Sequence, residues 1–304
     1  MKTICLLLSL SLSLVSYTQP KQPDSGQSES AGKLAVQLYT FRNELAQDVP
    51  GTLKRIKDLG IDYVEGYDVP FIVGDPDSFK AQLEAAGLKM FALHWNNLED
   101  WRKNPSKILG VAQKFGVHYT GIAWLKTGLM DAVTQEVVNE AADILMETCE
   151  EAKEAGLQLY YHIHGYELQP AGNGKTFFDS FIERSNYDCI RLEMDVFWVT
   201  YAGFDPVKFI EDHKDGVELF HIKNMAEHVK TGTFTGVDFM PPEMPADLWV
   251  PLGQGKIDFK PVFEKGHEIG AKWYILEMDR YEGDPFDAVA ASLAYIKKEG
   301  LMNE

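Results

Sequence analysis

The sequence predicts a single (β/α)₈ barrel of the TIM type over residues 33–304, and three observations carry that prediction. Eight short apolar runs alternate with stretches of helical spacing. A glycine precedes six of those runs, where a helix would end. Several runs stop at a metal-capable side chain, which suggests one architecture feeding ligands from parallel strands into one site.

The runs, in order, are LAVQLYTF (34–41), IDYVEGY (61–67), LKMFALHW (88–95), VHYTGIAW (117–124), LQLYYHIH (157–164), CIRLEMDVF (189–197), VELFHIKN (217–224) and AKWYILEMD (271–279). Their length and apolar content fit strands buried in a parallel sheet. Gly60, Gly87, Gly116, Gly156, Gly216 and Gly270 occupy the expected C-cap positions. Between the runs, VPGTLKRIKDLG places Leu53, Ile56 and Leu59 on one stripe, and VNEAADILMETCEEAKEAG repeats the pattern over a longer span. An open doubly wound sheet usually has fewer strands, and no strand here runs into a GxGxxG helix start. GQGKID (253–258) follows Pro251 and Leu252 instead, so a dinucleotide site is not expected. The longest gap, Asn224 to Gly270, is rich in Gly and Pro, and reads as a loop that covers the catalytic face.

Composition narrows the function. A net charge of -17 over 304 residues argues against a nucleic-acid partner, whose phosphates need a basic surface. At the N-terminus, Lys2 precedes an apolar and serine run ending near Thr18, which reads as a signal peptide (1–18) for export to the periplasm or beyond. That run is too short to span a bilayer, so stable membrane insertion is not expected. Residues 19–32, rich in Gln, Pro, Ser and Gly, read as a disordered tether. Export would permit disulfides, yet Cys149 and Cys189 lie in different elements and read as two buried free thiols. Sequence leaves the oligomeric state open.

In a parallel barrel the C-terminal strand ends converge on one mouth. His164, Asp195, His221 and Glu277 fall there, a mixed N/O set suited to one divalent ion such as Mn, Zn, Co, Fe or Ni, with Mn or Zn favoured. A lone Asp at such a position is usually a helix cap and a lone His a core residue; recurrence on consecutive strands favours a shared site. His162 and His164 are two apart and face one side, so one can ligate while the other acts as base. His164, nearer the strand end, reads as ligand and His162 as base; Glu167 competes for the ligand role. Lys223 shares its face with His221 and would polarise a substrate oxygen, or form an ion pair inside the barrel. His94, Trp124, Lys126, Glu167, Glu193 and Trp198 are the expected substrate contacts, the aromatic ones offering faces on which sugars stack.

At this level of detail the chain resembles the xylose isomerase-like barrel superfamily, the sugar phosphate isomerases/epimerases. LAVQLYTFR, YYHIHGYEL, LEMDVFWVTYAG, LFHIKNM, PLGQGKIDF and YILEMDR carry the resemblance in order, over nearly all of 33–304. It implies one divalent metal held by strand-end residues of strands five to eight, here strand five with Asp195, His221 and Glu277. Many members carry a glutamate on strand five. Here His162-Ile163-His164 stands instead, similar to a subgroup with a YHNHxxEF pattern in which Ile163 replaces Asn.

The chemistry expected from these residues is proton abstraction alpha to a carbonyl through an enediolate, with His162 or Glu277 as base and Lys223 as oxyanion partner. Isomerisation, epimerisation and elimination share that first step, so a lyase (dehydratase or 3-keto-glycoside eliminase) is the alternative. The expected substrate is a small unphosphorylated carbohydrate, because export and an acidic surface both disfavour phosphosugars. A carbohydrate-binding protein on a degenerate barrel and a metal-dependent endonuclease are the competing classes. The first would lack a complete ligand set and the second would need a basic groove.

Overall fold

The computed structural model describes residues 32–125, 133–172, 174–232 and 246–302. The strands β1 (Lys33–Gln37), β2 (Tyr63–Tyr67), β3 (Lys89–Trp95), β4 (Tyr119–Ile122), β5 (Gln158–His162), β6 (Ile190–Asp195), β7 (Val217–Ile222) and β8 (Trp273–Leu276) close into one barrel in sequence order. Every neighbouring pair is parallel, and closure is made by Val36, which pairs with Leu276 on one side and Val64 on the other. All eight predicted strands are therefore present. Several are shorter than their apolar runs, because Leu38–Phe41 turns into a 3₁₀ helix and Val196 already starts a helix capped by Asp195.

A helix returns the chain after each strand: α1 (Val49–Asp58), α2 (Pro76–Ala86), α3 (Pro105–Phe115), α4 (Gln135–Glu154), α5 (Phe177–Arg184), α6 (Pro206–Asp212), α7 (Phe259–Glu268) and α8 (Pro285–Glu299). The starts are set locally. Asp75, Asn104, Asp205 and Asp284 each cap a helix whose first residue is proline, which needs no hydrogen-bond partner there. Of the six predicted C-cap glycines, five have the left-handed φ of that role, Gly87 at 75° among them. Gly216 does not. It is small for another reason, since a Cβ there would stand 2.2 Å from the Tyr187 ring.

The apolar interior divides in two. Helices pack on the outside of the sheet through one continuous core. Inside the barrel Ala35, Phe91, Tyr119, Tyr160, Leu219, Trp273 and Ile275 form a separate plug, with Phe91 stacked on Trp273 at 3.8 Å. Strand alternation then brings polar side chains above that plug, toward the C-terminal mouth. The Asn224–Gly270 connection is anchored at its base by a two-stranded pair, Asn224–Met225 with Trp249–Val250. Residues 233–245 of that predicted lid, the predicted leader and nearly all of the tether lie outside the described residues. The expectation of free thiols is corrected: Cys149 and Cys189 form a disulfide. The helical pattern of α4 and the start of β6 could not be placed side by side from sequence, but α4 packs along the barrel so that the two Cα atoms are 5.7 Å apart.

Candidate metal centre and active site

Above the aromatic plug, β2, β3, β6, β7 and β8 turn Glu65, His94, Glu193, Asp195, His221, Lys223, Glu277 and Asp279 into one buried polar layer, and β5 adds His162. Each strand contributes residues of one parity: Glu193 and Asp195, His221 and Lys223, Glu277 and Asp279. A cavity of about 460 Å³ opens over this layer, lined by Tyr39, Tyr67, Asp68, Asn96, Trp124 and His164, with His94, His162, Glu277 and Asp279 beneath.

Lys223 is a buried cation held by three carboxylates. Its Nζ lies 2.6 Å from Glu277 Oε2, 2.8 Å from Asp279 Oδ1 and 2.8 Å from Asp195 Oδ2. Burial works to lower its pKa, and the three carboxylates reverse that, holding it well above the usual lysine value. His221 is gripped at both nitrogens, with Nδ1 2.7 Å from Glu277 Oε2 and Nε2 2.7 Å from Glu65 Oε2. Burial opposes its charge, but Glu193, Glu277 and Glu65 hold it well above the ordinary histidine range. Glu277 is pushed up by burial, yet Lys223 and His221 more than compensate and keep it well below the usual carboxylate range. His162 is the opposite case. Burial and the neighbouring His221 bring it down to about 3, and its Nδ1 lies 2.6 Å from Glu193 Oε2.

The layer has more carboxyl groups than cations. Glu65, Glu193, Asp195, Glu277 and Asp279 are all buried, against Lys223 and the imidazoles. Burial pushes Asp195 up to about 7 despite Lys223 and His221, and it raises Asp279 and Glu65 as well. Glu193 Oε1 and His94 Nδ1 are buried without a hydrogen-bond partner. Unpaired buried charge is costly, so this layer fits a bound divalent cation. Two groups of side chains can bring ligand atoms within 4.8 Å of one another: Asp195, His221 and Glu277, and His94, His162, Glu193 and His221.

The sequence-predicted residues fall into place as follows. Asp195, His221 and Glu277 come together, with Lys223 among them. Asp195 also acts as a helix cap, its Oδ1 accepting the Trp198 amide at 3.0 Å. His164 lies outside both ligand groups; its ring is set among Trp124, Tyr166 and Trp198 at the cavity wall. His162, expected as base, sits among potential ligands instead. Glu167 turns away from the cavity, accepts the His164 amide at 3.0 Å and is raised by burial to about 8. His94 and Trp124 line the cavity, whereas Glu193 and Trp198 lie deeper, the Trp198 ring 5.9 Å from Lys223 Nζ. Lys126 lies outside the described residues.

Sequence reasoning passed over Tyr39, Tyr67, Asp68, Asn96 and Asp279. Asp279 had a signal, because Glu277-Met278-Asp279 repeats Glu193-Met194-Asp195 at the end of another strand. Gln37 and Tyr160, which both donate to Glu65, had none.

An inosose dehydratase of Geobacillus kaustophilus (strain HTA426) is 30% identical over 148 residues, 48% of this chain and 45% of that protein. The chain thus spans about half the length of the curated relatives it matches. Among solved structures, a sugar phosphate isomerase/epimerase from Parabacteroides distasonis ATCC 8503 superposes with a TM-score of 0.69 at 21% identity, over 90% of this chain and all (100%) of that one. The zinc-bound IOLI protein superposes with a TM-score of 0.64 at 18% identity, over 87% of this chain and 97% of that one. Residues 53–299 match the family model of the xylose isomerase-like TIM barrel, and the chain belongs to that family.

Proposed function

We propose that the protein is a divalent-metal-dependent sugar isomerase or epimerase that removes the proton alpha to a carbonyl of an unphosphorylated sugar or keto-sugar. The observation that carries this reading is the pair of carboxylates, Glu277 and Asp279, that line a cavity of about 460 Å³ and are both ion-paired to the buried Lys223, beside two possible ligand groups. His221 belongs to both groups and is the fixed ligand in either arrangement. A bound ion supplies Lewis-acid polarisation of a substrate oxygen.

The remaining steps belong to the side chains. Glu277 is the base of choice: it lines the cavity, and Lys223 and His221 both bond its Oε2 and keep the carboxylate ionised. His162 is the weaker candidate, because burial and His221 depress its basicity. The Lys223 ammonium stabilises the oxyanion that develops as the C–H bond breaks. Tyr39, Tyr67 and Trp124 offer ring faces to the apolar side of a sugar. Return of the proton to the neighbouring carbon gives isomerisation, and return to the opposite face gives epimerisation.

A second reading is elimination, in which the same enediolate expels a beta substituent. The inosose dehydratases among the relatives favour it. The proposal includes export, which the Cys149–Cys189 disulfide supports, since such bonds persist in oxidising compartments. No helix among the described residues is long and apolar enough to cross a membrane. NMR of metal-loaded protein in D₂O with free sugars, keto-sugars and 3-keto-glycosides is the test. Deuterium at a C–H position of rearranged product is expected, a product lacking the beta substituent would select elimination, and no turnover of any class would sink the proposal. Glu277→Gln should slow exchange by about 10²–10⁴-fold, the usual contribution of a general base.

A further inference from the structure

We infer that Glu65 is the positioning residue of His221: it accepts a hydrogen bond from Nε2–H and so turns the Nδ1 lone pair toward the strand-end group of Asp195 and Glu277. The inference rests on the proposed reading only in that His221 holds a divalent ion.

Glu65, on β2, is fully buried and lies outside both groups of potential ligands. It reaches across the barrel to β7, where its Oε2 is 2.7 Å from His221 Nε2. Glu193 Oε2 stands farther from the same nitrogen, at 3.3 Å, and is engaged with His162 Nδ1 at 2.6 Å. Glu65 is therefore the nearer partner of Nε2.

Glu65 is itself held from two sides. Gln37, its neighbour in the β1–β2 register, donates from Nε2 to Glu65 Oε2 at 2.9 Å, and the Tyr160 hydroxyl of β5 donates to Oε1 at 2.7 Å. The Gln37 amide cannot turn over. Its Oε1 accepts the Tyr39 backbone N–H at 3.1 Å, and that group can only donate, so the Gln37 amino group has to face Glu65. Burial works against a charge on Glu65, and the two donors work for it.

A neutral imidazole has one N–H and one lone pair. With Nε2–H donating to Glu65, the lone pair belongs to Nδ1. That atom lies 2.7 Å from Glu277 Oε2, within the group of Asp195, His221 and Glu277. A carboxylate behind a ligating imidazole fixes its tautomer and ring orientation and raises its basicity. The chain of bonds from Tyr39 through Gln37 and Glu65 also ties His221 to the cavity wall, because Tyr39 lines the cavity.

NMR of the full chain, isotope-labelled at the histidine nitrogens and loaded with one equivalent of Zn(II), reads the tautomer through long-range proton–nitrogen couplings. The His221→Gln spectrum identifies the signal. His221 is expected to carry its proton on Nε2; a proton on Nδ1 would overturn the inference, since Glu65 would then be the donor. Equilibrium dialysis with Co(II) gives the second measurement. Glu65→Leu should weaken binding by about 10–100-fold, and Glu65→Gln, which keeps an acceptor oxygen, should recover most of that loss. A Glu65→Leu affinity within about threefold of wild type would sink the role, even if urea stability falls, because a merely structural residue moves stability and not the affinity of the folded protein. Should Glu65→Leu fail to fold, the wild-type tautomer still decides. These outcomes separate from those of the proposed reaction. A proton on Nε2 with chelator-insensitive turnover keeps the positioning role and removes the metal dependence, and a proton on Nδ1 with chelator-sensitive turnover does the opposite.

Discussion

At the scale of single residues, the polar layer shows how far parity carries and where it stops. A residue two positions from a candidate ligand shares its face, so Lys223 was readable from His221, and Asp279 from Glu277. What parity lacks is distance across the barrel. Glu65 and His94 come from β2 and β3, and nothing in the order of residues says that Glu65 bonds His221 at 2.7 Å. The same gap concerns His162, at the end of β5, and His164 beyond it: the His164 ring stands at the cavity wall, and His162 lies within reach of His94, Glu193 and His221. Glu167 offers a test of a buried carboxyl near the site. Its folded pKa is about 8, raised by burial above the ordinary value of 4.5. Its neutral form is therefore the one the fold prefers. The associated stability is fully present below pH of about 4.5, and is lost as pH rises toward about 8. Glu167→Gln keeps an acceptor for the His164 amide and removes the titration. Metal-free wild type should thus lose about 4 kcal/mol relative to the variant between those limits, read from urea unfolding at several pH values. Parallel curves for the two proteins would show that Glu167 is not held neutral by the fold.

At the scale of elements, the strands and helices were legible because each is marked twice, by apolar period and by its end signals. Asp-Pro or Asn-Pro starts α2, α3, α6 and α8, and glycine closes many of the helices. Gly216 is the exception that local signals could not explain, because its cause is the Tyr187 ring packing from a distant segment. The contrast with Gly110 gives a paired prediction. Gly110 lies within α3 with nothing within 4 Å of its would-be Cβ, so Gly110→Ala should stabilise the protein by about 0.5–1 kcal/mol. Gly216→Ala brings a methyl against the ring, and should cost about 1–3 kcal/mol. Chemical denaturation of the two variants measures both signs; a stabilising Gly216→Ala would mean that the Tyr187 ring gives way to the methyl and does not require the glycine.

At the scale of the whole molecule, the barrel separates the parts that do chemistry from the parts that hold it shut, and the disulfide lies with the second. Helices run antiparallel to the strands they follow, so the end of α4 that carries Cys149 meets the beginning of β6 beside Cys189. That is the N-terminal face, opposite the mouth with its polar layer. The bond spans a sequence separation of 40 and encloses β5, the strand that delivers His162. Cross-linking a loop of that length restricts the unfolded chain by about 3–4 kcal/mol. A thiol reductant should therefore lower the unfolding free energy of the wild-type protein, read from urea denaturation, by that amount and leave a Cys149→Ala/Cys189→Ala variant unmoved. Because the bond sits at the far end from the buried polar layer, Co(II) affinity measured under native conditions should not change on reduction. A loss of affinity alongside the loss of stability would mean that β5 depends on the bond for its register, and that the two faces of the barrel are coupled through it.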